Sequence, residues 1–192
     1  MSKFVLIDGH SILNRAFYGV PIFTNSEGLH TNAVFGFLNI MFKIIDSKQP
    51  DYMAVAFDVH QPTFRHEMFK DYKGTRKPMM EELREQVPVI KELLQKMNIT
   101  TVELPGYEAD DVIGTLSKKG EKAGMEVDVI SGDRDLLQLA SDHITICIPK
   151  TKKGQTTVEE YNTEGVRKLY KVTPTEFIDA VSYTHLTLPT IA

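Results

Sequence analysis

Lys3-Phe4-Val5-Leu6-Ile7-Asp8-Gly9 decides the fold. A short, unbroken apolar run closed by a carboxylate and a glycine reads as a buried strand that ends at a polar rim. Similar runs follow at 52–57, with Asp58 directly after it, and at 100–104, which Pro105-Gly106 ends. Two more lie at 125–130 and 144–148. Between them the apolar period changes to that of a helix. Residues 31–47 place Val34, Phe37, Leu38, Met41, Phe42 and Ile45 at helical spacing. Residues 80–97 form a charged amphipathic helix with Pro88 as a kink or break. Residues 108–122 form a helix closed by Gly124, and 133–139 a short one. Strands that alternate with helices require right-handed crossovers, so the expected fold is α/β, a mostly parallel central sheet flanked by helices. Residues 61–78 are polar, basic and aromatic without a clear period, which suggests a loop or arch over one edge. Residues 151–157 suggest a hairpin.

At 192 residues and 42% hydrophobic, the chain can bury one sizeable core. The most apolar stretch, 33–45, is interrupted by Asn39 and Lys43 and is too short to span a bilayer. Lys3 leads straight into a strand, without the pattern of a signal peptide. The single cysteine, Cys147, rules out an intramolecular disulfide and fits a reducing cytoplasm. A net charge of −4 argues against a nucleic-acid partner only if the charge is evenly spread. It is not. Arg65, Lys70, Lys73, Arg76 and Lys77 stand against Glu67 and Asp71 within one short stretch, and Lys150, Lys152 and Lys153 form a second basic run.

The acids fall at the strand ends. Asp8 follows the first strand and Asp58 the second; Glu108, Asp110 and Asp111 come after the third, and Asp133 and Asp135 after the fourth. In an open parallel sheet the carboxyl ends of the strands share one rim, where ligands bind. Seven carboxylates brought together there would repel or stay partly protonated unless cations screened them. Oxygen donors without a Cys or His cluster point to magnesium or manganese rather than zinc. Each acid also has a plainer reading: Asp8-Gly9 as a turn, Glu108, Asp110 and Asp111 as complements to a helix dipole, Asp133 as an N-cap. Asp58 ends an apolar strand that offers it no partner, and the plainer reading must hold separately at four strand ends. Paired cations in such a rim suit phosphodiester hydrolysis, with a basic loop nearby to hold the phosphate.

Leu6-Ile7-Asp8-Gly9, Phe57-Asp58, Phe64-Arg65-His66-Glu67, Tyr72-Lys73-Gly74-Thr75-Arg76, Gly106-Tyr107-Glu108-Ala109-Asp110-Asp111 and Gly132-Asp133-Arg134-Asp135-Leu136 occur in this order. Together they resemble the 5′→3′ exonuclease domain of bacterial DNA polymerase I, a member of the flap endonuclease family with a PIN-like fold and a helical arch. The resemblance implies that Asp8, Asp58, Glu108, Asp110, Asp111, Asp133 and Asp135 are metal ligands, directly or through water. It implies two Mg2+ or Mn2+ ions in the complete domain. It also implies that Lys73 and Arg76, on the arch, contact the scissile phosphate as catalytic groups. Arg15, Arg65 and Tyr72 are further DNA-binding candidates, whose plainer roles are surface charge and packing. The implied partners are DNA with a 5′ flap or nick and an RNA primer–DNA hybrid. A monomer, cytoplasmic and working on the nucleoid, joined to a polymerase domain in a longer parent, completes the expectation.

The resemblance covers residues 4–180. The family continues with a Gly- and Asp-rich segment and a duplex-binding lobe, whereas residues 181–192 contain no acid. The expectation is therefore an incomplete catalytic domain over 1–180, a foreign tail over 181–192 and impaired turnover. A non-catalytic module that holds branched DNA is the alternative reading. A PIN-like ribonuclease is a third, against which the long basic arch segment argues.

Overall fold

The computed structural model describes residues 1–59, 61–69, 71, 72, 74, 78–152 and 155–179. Six strands form one sheet in the order β3-β2-β1-β4-β5-β6: β1 (Lys3–Asp8), β2 (Tyr52–Ala56), β3 (Thr100–Val102), β4 (Glu126–Ile130), β5 (Ile144–Lys152) and β6 (Gln155–Tyr161). The first five are parallel, and β6 returns antiparallel along β5 as the hairpin expected around 151–157. The chain builds β2 and β3 on one side of β1, then crosses to place β4 and β5 on the other. The strand order therefore reverses at the β1/β4 boundary, and the crevice there opens at the carboxyl end of β1.

Period-2 alternation divides the core into two layers. Val5, Ile7, Val55, Phe57, Ile130 and Cys147 face α1 (Gly9–Gly19), α2 (Asn32–Lys48) and α5 (Gln86–Lys96). Leu6, Ala54, Ala56, Val127, Val129 and Ile146 face α6 (Ala109–Lys122), the 3-10 helix Arg134–Leu139 and α7 (Thr163–Tyr170). Helix α2 has no side-chain cap from its own N-cap residue. The wholly buried Gln86 serves instead: its Oε1 accepts from the N–H groups of Ala33 and Val34, and its Nε2 donates to Asn32 Oδ1. Asn32 in turn donates to the carbonyls of Phe17 and Val20, so one chain of hydrogen bonds joins α5, α2 and the end of α1.

Several elements differ from the sequence expectation. The helix expected over 80–97 is two: α4 (Glu81–Arg84), then α5 beginning at Gln86. Pro88 lies in the first turn of α5, and the interruption falls upstream of it. Its ring clashes with the carbonyl four residues back, and its missing N–H is harmless in a first turn. The aperiodic stretch 61–78 contains a five-residue helix, α3 (Phe64–Met68), started by Thr63. Helices α1 and α7 were not anticipated. Gly124 ends α6 as expected, with φ at +75°. Its N–H reaches Glu121 O while that of Met125 reaches Gly120 O, the bond pair of a Schellman cap.

Candidate active site

Asp8, Asp58, Glu108 and Asp133 are each held where a strand has ended or a helix begins. Asp8 is the last residue of β1 and the N-cap of α1, its Oδ1 accepting from Ser11 N–H at 3.0 Å. Glu108 is the N-cap of α6 within a capping box completed by Asp111, whose Oδ2 accepts from Glu108 N–H at 3.0 Å. Asp133 caps the 3-10 helix by accepting from Asp135 N–H at 2.9 Å. Asp58 lies two residues beyond Ala56, which pairs with Asp8 across the sheet, and its Oδ1 accepts from Ala109 N–H at 2.7 Å. The capping and turn roles that the sequence offered as alternatives are thus the means by which the acids are aimed at the rim.

Asp8, Asp58, Glu108, Asp110 and Asp133 line one cavity of about 430 Å³ together with His10, Ser11 and Asn14. Asp8 is its floor. The residue is 6% exposed, and burial pushes its carboxyl up from 3.8 to about 6; Asp58 and Asp133 add to the rise, while the Ser11 N–H and the Ser131 hydroxyl oppose it. Ser131 Oγ donates to Asp8 Oδ2 at 2.8 Å and accepts from Asp133 N–H at 3.0 Å, joining two acids through one buried hydroxyl. His10 Nδ1 accepts from Asp58 N–H at 3.1 Å. Gly9 is required where it stands, since a Cβ there would lie 2.4 Å from Phe57 Cε1.

Asp111 and Asp135 line a second groove, which shares Glu108 and Asp110 with the cavity. Asp111 is gripped bidentately by Arg65 at 2.7 and 2.8 Å. Bonding to Asp111 raises the Arg65 guanidinium pKa above its ordinary value. Tyr72 donates from its hydroxyl to Glu108 Oε2 at 3.3 Å and meets His66 edge-on. Arg15 lies outside the cavity, with Ser11, Asn14, Tyr18 and Gly132. Burial lowers its guanidinium pKa, and among the described residues its Nε has no hydrogen-bond partner. Lys73 and Arg76, together with 181–192, lie outside the described residues. The sequence reading passed over Ser131, Ser11 and His10 as supports of the acids; the available signal was a hydroxyl or imidazole two or three residues from an acid at a strand end.

The donor set suits a hard divalent cation. It consists of carboxylate oxygens, one of them desolvated and raised in pKa by its acidic neighbours, as a cation would relieve. Among the described residues, no group of three or more His, Cys, Asp or Glu side chains encloses a point where an ion could sit.

A sequence profile of the 5′-3′ exonuclease, N-terminal resolvase-like domain, matches residues 3–171. The chain belongs to that family. Among its curated relatives, the chain is 51% identical to DNA polymerase I of Bacillus caldotenax over 177 residues, covering 92% of this chain and 20% of the relative. The DNA polymerase I of Bacillus subtilis (strain 168) matches to the same extent. The chain thus spans about a fifth of the length of these relatives. Among solved structures it is similar to T5 5′-exonuclease with zinc ions bound, at a TM-score of 0.69 and 22% identity, covering 91% of this chain and 64% of the other. It is also similar to the T5 D15 flap endonuclease in a complex with DNA and metal ions, at 0.68 and 22%, covering 92% and 63%. These likenesses agree with the expected PIN-like α/β fold. Among the described residues, no helix is long and apolar enough to cross a membrane.

Proposed function

We propose that this chain carries the catalytic rim of a structure-specific 5′ nuclease that hydrolyses phosphodiesters at 5′ flaps and nicks in DNA and removes RNA primers from hybrids. The observation that carries the reading is the meeting of Asp8, Asp58, Glu108, Asp110 and Asp133 around one cavity at the point where the strand order reverses. Asp8, Asp58, Glu108 and Asp110 would hold one Mg2+ or Mn2+, with Asp111 behind them; Asp133 and Asp135 would contribute to a second. The ions, when bound, supply Lewis-acid stabilisation of the charge that builds as the phosphodiester is cut.

The chain's own groups prepare this. Ser131 and the Ser11 amide fix the plane of the Asp8 carboxylate, and the Ala109 amide fixes that of Asp58. Arg65 neutralises Asp111 and keeps α6 at the rim, so its first duty is positioning, with phosphate contact second. Lys73 and Arg76 are assigned to the scissile phosphate, where a guanidinium grips bidentately. The longer protein would act as a monomer on nucleoid DNA, beside a polymerase domain.

Mn2+ titration followed by electron paramagnetic resonance tests the metal assignment. Saturable binding that Asp110→Ala weakens at least tenfold supports it. Equal binding by both proteins would leave the rim without the role proposed here.

A further inference from the structure

Among the described residues, no strand pairs with the amide of Asp58. Along β2 and just beyond it the N–H groups alternate between the two neighbouring strands, and that of Phe57 goes to Val102 O on the β3 side at 2.9 Å. The next N–H, of Asp58, therefore faces β1. The β1/β2 ladder stops at the pair Asp8 and Ala56, and the chain beyond Asp8 has already turned into α1. A backbone donor at such a place needs an acceptor from elsewhere. His10 supplies it, its Nδ1 accepting from Asp58 N–H at 3.1 Å. The same nitrogen stands 3.6 Å from Asp58 Oδ2, outside hydrogen-bond range, so the amide is its partner in that residue.

The imidazole is anchored on its own side. His10 is the second residue of α1, in the helical turn that Asp8 caps, and its side chain is only 11% exposed. Its ring meets Phe57 edge-on, with centroids 5.4 Å apart and planes at 88°. The side chain of Asp58, by contrast, is 47% exposed, and its Oδ1 accepts from the Ala109 amide. A carboxylate that open is aimed by its backbone more than by packing. His10 thus ties Asp58 to the turn of helix that carries Asp8, across 48 residues of sequence. A packing role alone would account for the Phe57 contact, but not for a ring nitrogen directed at this amide.

We infer that His10 is a positioning residue that sets the spacing of the Asp8 and Asp58 carboxylates across the rim, and through it the fit of the rim to a divalent cation. The inference rests on the reading of the rim proposed above. His10 acts here through Asp58, without a bond of its own to the ion. Because one turn of α1 carries both the Asp8 cap and the acceptor for Asp58, a shift of that turn moves the two carboxylates together rather than apart.

The test is Mn2+ titration followed by electron paramagnetic resonance, with urea unfolding in EDTA measured on the same proteins. His10→Leu keeps an apolar side chain against Phe57 and removes the acceptor. It should weaken Mn2+ binding about tenfold or more, as loss of a supporting partner behind a metal ligand does. His10→Asn keeps an acceptor the same number of bonds from the backbone as Nδ1 and loses the ring. It should unfold more easily than wild type and yet bind Mn2+ within about twofold of it. In an Asp58→Ala background, His10→Leu should change Mn2+ binding by less than about twofold, because the group it acts through is gone. Wild-type binding in His10→Leu, equal losses in His10→Leu and His10→Asn, or a His10→Leu loss that persists without the Asp58 carboxylate would overturn the inference and leave the rim reading intact. A wild type whose Mn2+ binding does not depend on Asp110 removes that reading and this inference with it.

Discussion

Replacing Asp8 by asparagine should stabilise the metal-free protein at neutral pH. Asp8 is 6% exposed, and burial with acidic neighbours raises its carboxyl from 3.8 to about 6. An acid whose folded pKa lies above its unfolded value supports the fold when protonated. That support is complete below about pH 3.8 and is lost as the pH rises through about 6. A gap of roughly two pH units is worth about 3 kcal/mol at pH 7.5. Asparagine keeps the oxygen that accepts from Ser11 N–H, and its NH2 group can donate to a rotated Ser131 hydroxyl, so few hydrogen bonds are lost. Urea unfolding in EDTA at a series of pH values reads the effect. The variant should be about 3 kcal/mol more stable at pH 7.5 and level with wild type at pH 3.5. Added Mn2+ should then stabilise the wild type and do much less for the variant. A variant less stable than wild type at pH 7.5 in EDTA, or a difference that does not change with pH, would refute the reasoning.

Other positions give equally direct tests. Gln86→Met leaves the amides of Ala33 and Val34 buried without an acceptor and should cost about 2–4 kcal/mol in urea unfolding; a loss below about 1 kcal/mol would deny Gln86 its capping role. Gly9→Ala drives a methyl into the ring of Phe57, the residue before Asp58, and should destabilise by about 2 kcal/mol while weakening Mn2+ binding; unchanged melting and binding would show that the ring yields freely. Arg65→Ala removes the guanidinium that neutralises Asp111 and keeps α6 at the rim and should weaken Mn2+ binding several-fold by calorimetry, whereas tighter binding would mean that Arg65 competes with metal more than it positions the rim.

How much of this was legible in the sequence depended on the range of each interaction. The first five strands were readable because each is a short apolar run, and their parallel arrangement followed from the helices between them. Helix α1 was missed because Asp8-Gly9 resembles a turn, and a glycine at its first position hides the cap that Asp8 provides. Helix α7 has a strong polar and apolar division but only one buried residue, Val166, so its signal was local and small. The break near Pro88 was anticipated, but its position depends on the ring's clash with the preceding turn, which places it upstream of the proline. At the site, the strand-end acids were visible one by one, and topology alone predicted that they share a rim. The role of Ser131 was invisible because it requires β4 to lie beside β1, a contact spanning 123 residues. The pairing of Arg65 with Asp111 was equally hidden, and it turns a candidate DNA contact into a group already engaged by the rim.

The most direct measurement is cleavage of a 5′-labelled flap duplex by this chain with Mg2+ or Mn2+, beside EDTA and Asp110→Ala controls. Slow, metal-dependent release of the flap as a short oligonucleotide is expected, absent in both controls. Release that persists in EDTA or in the Asp110→Ala protein would contradict the assignment of catalysis to the carboxylate rim of this chain.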